Sequence, residues 1–236
     1  MKTLLLLLLK GAKLKPALLT LGTMCLSIGV YATKYGWWFS TGFVLLILVH
    51  ELGHFVAAKQ KGLEVGAPVF IPFLGAWIAL KDQHIDSSTE AYVAMAGPVA
   101  GTFGALLCYY VGDFTGNRLL IALAYSGFFL NLFNLIPISP LDGGRITQVV
   151  SKKLWLIGLP LLVLLYFYHS QSPMLLVIVI LAFPHFFQAL QKKPPSTDAS
   201  IREVSTSDRI SYGCYYLGLT IFLSLMTYGL HQRLGG

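Results

Sequence analysis

Long apolar runs, separated by short polar segments, make up most of this chain. A transmembrane helix needs about 20 mainly apolar residues, and seven runs approach or reach that length. They lie at about Ala17–Ala32, Trp37–Ala58, Ala91–Val111, Leu119–Ile136, Leu154–Tyr168, Met174–Leu190 and Ile210–Leu230. The pattern predicts an all-α polytopic membrane protein with about six to seven transmembrane helices, in which residues 1–236 form a single transmembrane domain.

The segment between the second and third runs has a different pattern. Within residues 66–82, the stretch Val69–Leu80 is rich in β-branched and aromatic residues and is interrupted by Pro72 and Gly75. This pattern predicts two short strands, which we interpret as a small membrane re-entrant β-hairpin. Because non-helical backbone at membrane depth must be buried in protein or line a watery cavity, the hairpin would wall an internal site. An interfacial loop is the alternative interpretation.

Composition and charge agree with a membrane location. Hydrophobic residues make up 56% of the chain and charged residues 11%, whereas an ordinary soluble domain has about 25% charged residues. If the N-terminus is cytoplasmic and all seven runs cross, every Lys and Arg except Lys34, Arg118 and Arg233 faces the cytoplasm. This is the positive-inside rule, so the net charge of +7 indicates contact with a lipid bilayer and no nucleic-acid partner. The polar residues 191–209 would form a cytoplasmic linker.

Two histidines and a glutamate interrupt the second apolar run. Residues four apart share a helix face, so His50 and His54 can both reach one Zn²⁺. Glu51 lies beside them in the sequence and could act as general base toward a water that the zinc activates. The H-E-x-x-H pattern also arises by chance, but an unpaired carboxylate inside an apolar span costs about 3 kcal/mol. We therefore interpret the motif as a metal site.

Catalytic zinc usually has three protein ligands, and Asp142 is the best candidate for the third. Asp142 follows an apolar run. Pro137 and Pro140 prevent a regular helix in the segment before it. Gly143–Gly144 allows a tight turn that can aim the Asp142 carboxylate back toward the histidines. The competing interpretation is that Asp142 caps the helix that follows. Four other acidic residues lie on the same predicted side but in polar surroundings: Glu64, Asp82, Asp86 and Glu90.

Two asparagines lie within the fourth apolar run. Asn134 could donate to the oxyanion of a tetrahedral intermediate or hold a substrate carbonyl, and a hydrogen bond between helices is the alternative. For Asn131 we favour the interhelical hydrogen bond. In the third run, small residues at Gly97, Gly101 and Gly104 predict close helix packing.

These motifs follow one another in a recognisable order. The chain contains, in turn, His50–His54, Ala96–Pro98, Asn134 with Pro137, and Leu141–Arg145. In this order they resemble the site-2 protease family of intramembrane zinc metalloproteases, peptidase family M50, over a catalytic core of about residues 37–150. The chain has no room for the PDZ or CBS domains of some members, so we expect a minimal form.

The resemblance implies a role for each motif. His50, His54 and Asp142 would bind one Zn²⁺ per chain, Glu51 would be the catalytic base, and Asn134 would assist substrate or oxyanion binding. The hairpin would present substrate as an added strand. The chain departs from the family at Gly101, where members often carry an asparagine.

The expected function is hydrolysis of a peptide bond in or near the transmembrane segment of a membrane protein, that is, regulated intramembrane proteolysis. We expect a multi-pass protein of a bacterial inner membrane with its active site toward the cytoplasmic side. A zinc-binding membrane transporter and a catalytically silent membrane scaffold are the alternatives. The sequence does not specify an oligomeric state.

Overall fold

Helices form nearly all of the described structure. A computed structural model describes residues 2–72, 75–77, 85–168, 173–191 and 204–235. In chain order the elements are α1 (Lys2–Tyr35), α2 (Trp37–Gln60), β1 (Val69–Ile71), β2 (Gly75–Trp77), α3 (Ser87–Thr115), α4 (Arg118–Asn134), α5 (Asp142–Val150), a 3₁₀ turn (Lys152–Leu154), α6 (Trp155–Tyr168), α7 (Pro173–Leu190) and α8 (Thr206–Leu234).

Four of the described helices are long and apolar enough to cross a membrane. They are Pro16–Tyr35 within α1, together with α2, α3 and α8. Helix α4 has 17 residues and α6 has 14, which at 1.5 Å per residue give about 26 Å and 21 Å, less than the roughly 30 Å of a bilayer core. The prediction of a helical membrane protein is confirmed, whereas the count of six to seven spans stays a prediction.

Close contacts between α2, α3 and α4 form the centre of the fold. Gly53 of α2 lies so near α3 that an added Cβ would clash with the backbone oxygen of Ala96, so the two helix axes can approach closely. Helix α8 covers α4 and α5 through an apolar cluster that includes Phe128, Ile146 and Leu223, all fully buried or nearly so. This packing holds α5 against the central helices.

The two strands lie where the sequence predicts them. They pair antiparallel, with Val69 opposite Trp77 and Ile71 opposite Gly75. Helix α1 is bonded to β1, because the Thr23 hydroxyl accepts a hydrogen bond from the Phe70 amide at 3.1 Å. The membrane re-entrance predicted for residues 66–82 is not tested, and residues 73–74 and 78–82 lie outside those described.

The predicted linker at residues 191–209 lies mostly outside the described residues. Helix α8 begins inside that range, at Thr206, with Ser205 as its N-cap accepting a hydrogen bond from the Asp208 amide at 3.1 Å. The first residues of α8 therefore overlap the end of the predicted linker, and the linker itself stays a prediction.

The connection from α4 to α5 is short and tightly held. Helix α4 ends at Asn134, just ahead of Pro137, and two turn hydrogen bonds carry the chain to α5, from Ile138 N to Ile136 O and from Leu141 N to Ile138 O. The Tyr216 hydroxyl of α8 donates to the Leu135 oxygen at 2.7 Å. These bonds leave little freedom in the segment that delivers Asp142.

Gly143 and Gly144 serve a different purpose from the predicted tight turn. Both residues lie in the first turn of α5, where an added Cβ would meet the backbone of the preceding connection, the Leu135 oxygen at Gly143 and the Ser139 nitrogen at Gly144. The glycines are needed because helix α5 packs directly against the connection that leads into it from α4.

Candidate metal centre

His50 and His54 lie one helical turn apart on α2, with their ring nitrogens together. The two Nε2 atoms are 3.1 Å apart and the ring centroids are 4.8 Å apart. His50 is 3% exposed and the neighbouring Glu51 is 8% exposed. The helical spacing therefore places both imidazoles on one buried face, as the sequence predicts.

Asp142 joins the histidines from α5. Its Oδ2 atom lies 3.2 Å from Nε2 of His50 and 3.2 Å from Nε2 of His54. Around a tetrahedral Zn²⁺ with ligand distances of about 2.0–2.1 Å, ligand atoms are separated by roughly 3.4 Å. The three donor atoms have nearly this spacing, and their chemical types suit zinc, so the residues present fit the ion.

The interpretation of Asp142 as a helix cap is wrong. Leu141 occupies the N-cap position of α5, and Asp142 is the first helical residue, with its carboxylate turned to the histidines. A carboxylate in a first helical turn also interacts favourably with the helix dipole.

The outer nitrogens of both histidines are occupied. His54 Nδ1 donates to the backbone oxygen of Val93 at 2.8 Å, and His50 Nδ1 lies 2.8 Å from Oδ1 of Asn131. Such second partners orient metal-binding imidazoles and keep the other nitrogen available. The predicted interhelical hydrogen bond of Asn131 is present, but its partner is a candidate ligand, which the sequence did not suggest.

Two of the packing glycines lie directly against this centre. An added Cβ at Gly97 would clash with the His54 ring, and one at Gly101 would clash with the Asn131 amide. The predicted close packing is correct, and it accommodates polar side chains of the site as well as neighbouring helices. At Gly101, the absence of a side chain leaves the space that Asn131 fills.

Asn134 lies at the end of α4, half-buried, and its amide nitrogen donates to the Leu130 oxygen at 3.0 Å. The structure therefore engages this amide with its own helix, and a role toward substrate stays a prediction. Glu51 also stays a prediction as base, although its burial beside His50 suits that role. The described group that could hold a metal contains His50, His54 and Asp142.

Two of the alternative acidic ligands, Asp86 and Glu90, have other partners. Asp86 caps α3 by accepting a hydrogen bond from the Thr89 amide at 3.0 Å. Glu90 accepts from Gln148 Nε2 at 2.6 Å and lies 3.8 Å from Arg145 Nε, so it joins α3 to α5. Asp82 lies outside the described residues. These contacts separate Asp86 and Glu90 from the histidine pair.

The fold and the site together define a class of protein, an integral membrane protein with a buried His-His-Asp centre that can hold a metal ion. The model of the family described as "Peptidase family M50" matches residues 38–118, which include both histidines. Over this region, about a third of the chain, the sequence is similar to peptidase family M50.

Curated relatives of this chain are named as zinc metalloproteases. Zinc metalloprotease MJ0392 of Methanocaldococcus jannaschii is 33% identical over 119 residues, which are 47% of this chain and 34% of that protein. Putative zinc metalloprotease Rip3 of Mycobacterium tuberculosis is 32% identical over 141 residues, 55% of this chain and 35% of the relative. The chain thus spans about a third of the length of these relatives.

A solved structure is also similar. The site-2 protease from Methanocaldococcus jannaschii aligns with 74% of this chain and 89% of that chain, at 22% sequence identity and a TM-score of 0.48.

Proposed function

We propose that this chain is an intramembrane zinc metalloprotease that hydrolyses a peptide bond in or near the transmembrane segment of a membrane protein. The observation that carries the proposal is the convergence of His50, His54 and Asp142 at 3.1–3.2 Å beside the buried Glu51. A carboxylate within an apolar membrane helix is energetically costly. The position of Glu51 beside the three candidate metal ligands gives this cost a functional reason.

Each polar side chain has a step in the proposed reaction. His50, His54 and Asp142 would hold a Zn²⁺ ion, which when bound would supply Lewis acidity at the scissile peptide bond. Glu51 takes a proton from the attacking water as the water oxygen bonds to the carbonyl carbon. It then gives this proton to the leaving amine as the C–N bond breaks. Asn134 donates to the carbonyl oxygen once its amide leaves the Leu130 oxygen.

The substrate must unwind before it can react, because the backbone groups of a membrane helix are bonded within the helix. The β-hairpin offers new partners to an unwound segment. One edge of β1 is bonded to α1 through Thr23 and the other to β2. We therefore expect the substrate to pair along β2, Gly75–Trp77.

The distribution of basic residues supports a cytoplasmic position for the centre. His54 lies in the second half of α2, which ends near Lys59 and Lys61, and the positive-inside rule places that end in the cytoplasm. We propose a bacterial inner membrane as the location of the protein and regulated intramembrane proteolysis as the process in which it acts.

Cleavage by reconstituted protein tests the proposal. Wild type and Glu51→Gln are each placed in vesicles with a single-span substrate, and cleavage and zinc per chain are measured. We expect one zinc in both proteins and cleavage by wild type alone. Asp113→Asn is the matched acid-to-amide control, because Asp113 pairs with Arg233 at 2.7 Å on an exposed surface and exposed pairs contribute little; it should cleave normally.

The outcomes separate the alternatives. Zinc near zero in folded wild type contradicts the proposal, and cleavage by Glu51→Gln at the wild-type rate contradicts the role of Glu51. Zinc flux across the vesicle without cleavage would indicate a transporter. Substrate binding that is unaffected by zinc removal, again without cleavage, would indicate a scaffold.

A further inference from the structure

Asn131 is the most buried side-chain amide near the proposed metal centre, at 1% exposure. We infer that Asn131 is a positioning residue, which holds His50 in the tautomer protonated on Nδ1 and so leaves Nε2 free to bind metal. The inference rests on the proposed metal site.

The orientation of the Asn131 amide follows from its second partner. Its Nδ2 lies 2.7 Å from the backbone oxygen of Gly127, and a carbonyl oxygen only accepts hydrogen bonds. The NH₂ group must therefore face Gly127, and Oδ1 must face His50. The reversed amide would place two acceptor oxygens against each other at this distance.

The amide orientation in turn decides the tautomer of His50. Because Asn131 Oδ1 only accepts, His50 Nδ1 must carry a proton to donate across their 2.8 Å separation. The neutral ring then has its lone pair on Nε2, the atom 3.2 Å from Asp142 Oδ2. A metal ligand needs this lone pair.

The two histidines reach the same state by different means. His54 Nδ1 is held by the backbone oxygen of Val93, which side-chain substitution leaves in place. His50 depends on a side chain from another helix, α4. Substitution of Asn131 should therefore affect one ligand and leave the other oriented.

The packing around the Asn131 amide supports its role as the partner of His50. A Cβ at Gly101 of α3 would clash with Asn131 Oδ1, so α3 leaves room for the amide beside His50. A hydrogen bond that only joined helices could use any partner on α2. This one uses the far nitrogen of a candidate ligand.

Zinc affinity of the detergent-solubilised 236-residue chain tests the inference, by competition with a chromophoric chelator. Asn131→Leu keeps a similar side-chain volume and removes the acceptor, and loss of such outer partners weakens metal binding about 10–100-fold. We expect a loss in that range and a changed d–d spectrum with Co²⁺. Ser126→Ala is the control, because Ser126 Oγ donates to the Ala122 oxygen at 2.9 Å on the same helix; its affinity should equal wild type.

A rescue separates orientation from folding. The double variant Gly101→Asn with Asn131→Ala returns an amide to the same space from α3, and we expect it to regain affinity relative to Asn131→Ala alone. Ring ¹⁵N shifts of His50 in metal-free wild type give a second reading that needs no variant. They should report protonation on Nδ1.

Two results would overturn the inference. One is a folded Asn131→Leu protein that binds zinc as tightly as wild type. The other is a neutral His50 ring that carries its proton on Nε2 and none on Nδ1 in the metal-free protein. A folded wild type that binds no zinc would instead overturn the proposed function, and the positioning role with it.

Discussion

Oδ2 of Asp142 lies 3.2 Å from Nε2 of His54, although helices α3 and α4 lie between these residues in the chain. The contact exists because α4 ends at Asn134 and a short hydrogen-bonded connection brings Asp142, the first residue of α5, next to the histidines of α2. The close glycine contacts of α5 with that connection keep Asp142 in place.

Replacement of Asp142 by Asn removes the charge of the third candidate ligand. Loss of an outer partner already costs about 10–100-fold in metal affinity, so we expect Asp142→Asn to weaken zinc binding by about 100-fold or more. Chelator competition measures the affinity. Asp86→Asn is the matched control and should bind zinc normally, since Asp86 caps α3 and Asn caps as well as Asp. Equal affinities of Asp142→Asn and wild type would contradict the ligand role.

A methyl group at Gly97 should displace His54. The added Cβ would clash with the His54 ring, and packed interiors accommodate such overlap only by shifts. We expect Gly97→Ala to stay folded and to lose about tenfold or more in zinc affinity, as for a disturbed metal partner. The control is Gly218→Ala on α8, where a Cβ meets no atom within 4 Å. A Gly97→Ala protein with the zinc affinity of Gly218→Ala would show that the ring position does not matter.

The cap of α3 gives a pH-dependent contribution to stability. Partial burial acts to raise the pKa of Asp86, but hydrogen bonds from Thr89 and Ser88 outweigh it and lower that pKa below its ordinary value. A carboxyl with a depressed folded-state pKa stabilises the fold above its unfolded pKa of about 3.9, and this stabilisation is lost as pH falls through the lower folded value. Asp86→Ala should therefore lower the free energy of unfolding by about 1 kcal/mol at neutral pH.

Unfolding in mixed micelles at several pH values measures that difference. The gap between wild type and Asp86→Ala should narrow below about pH 4. Asp86→Asn should lose little free energy of unfolding relative to wild type at neutral pH. Its difference from Asp86→Ala should not narrow as the pH falls. A gap that stays constant down to pH 3 would contradict the role of the ionised carboxylate.

Local periodicity explains which features the sequence could predict. Four-residue spacing places His50 and His54 on one face of any helix, and apolar runs in a chain with 11% charged residues indicate membrane helices. Both features depend on neighbours within a turn or two. The strands at β1 and β2 were predictable for the same reason, since residue type and the breakers Pro72 and Gly75 act locally.

The tertiary structure decided what depends on packing between distant segments. Asp142 as ligand or cap, and Asn131 as the partner of His50, were open in the sequence because each depends on how close α2, α3, α4 and α5 approach. That approach is possible only where single glycines leave room, as Gly101 does for Asn131, and such room has no local signature in the sequence. The sequence by itself therefore determined the helical membrane class and the His50–Glu51–His54 motif, while packing between helices decided how the remaining polar side chains meet it.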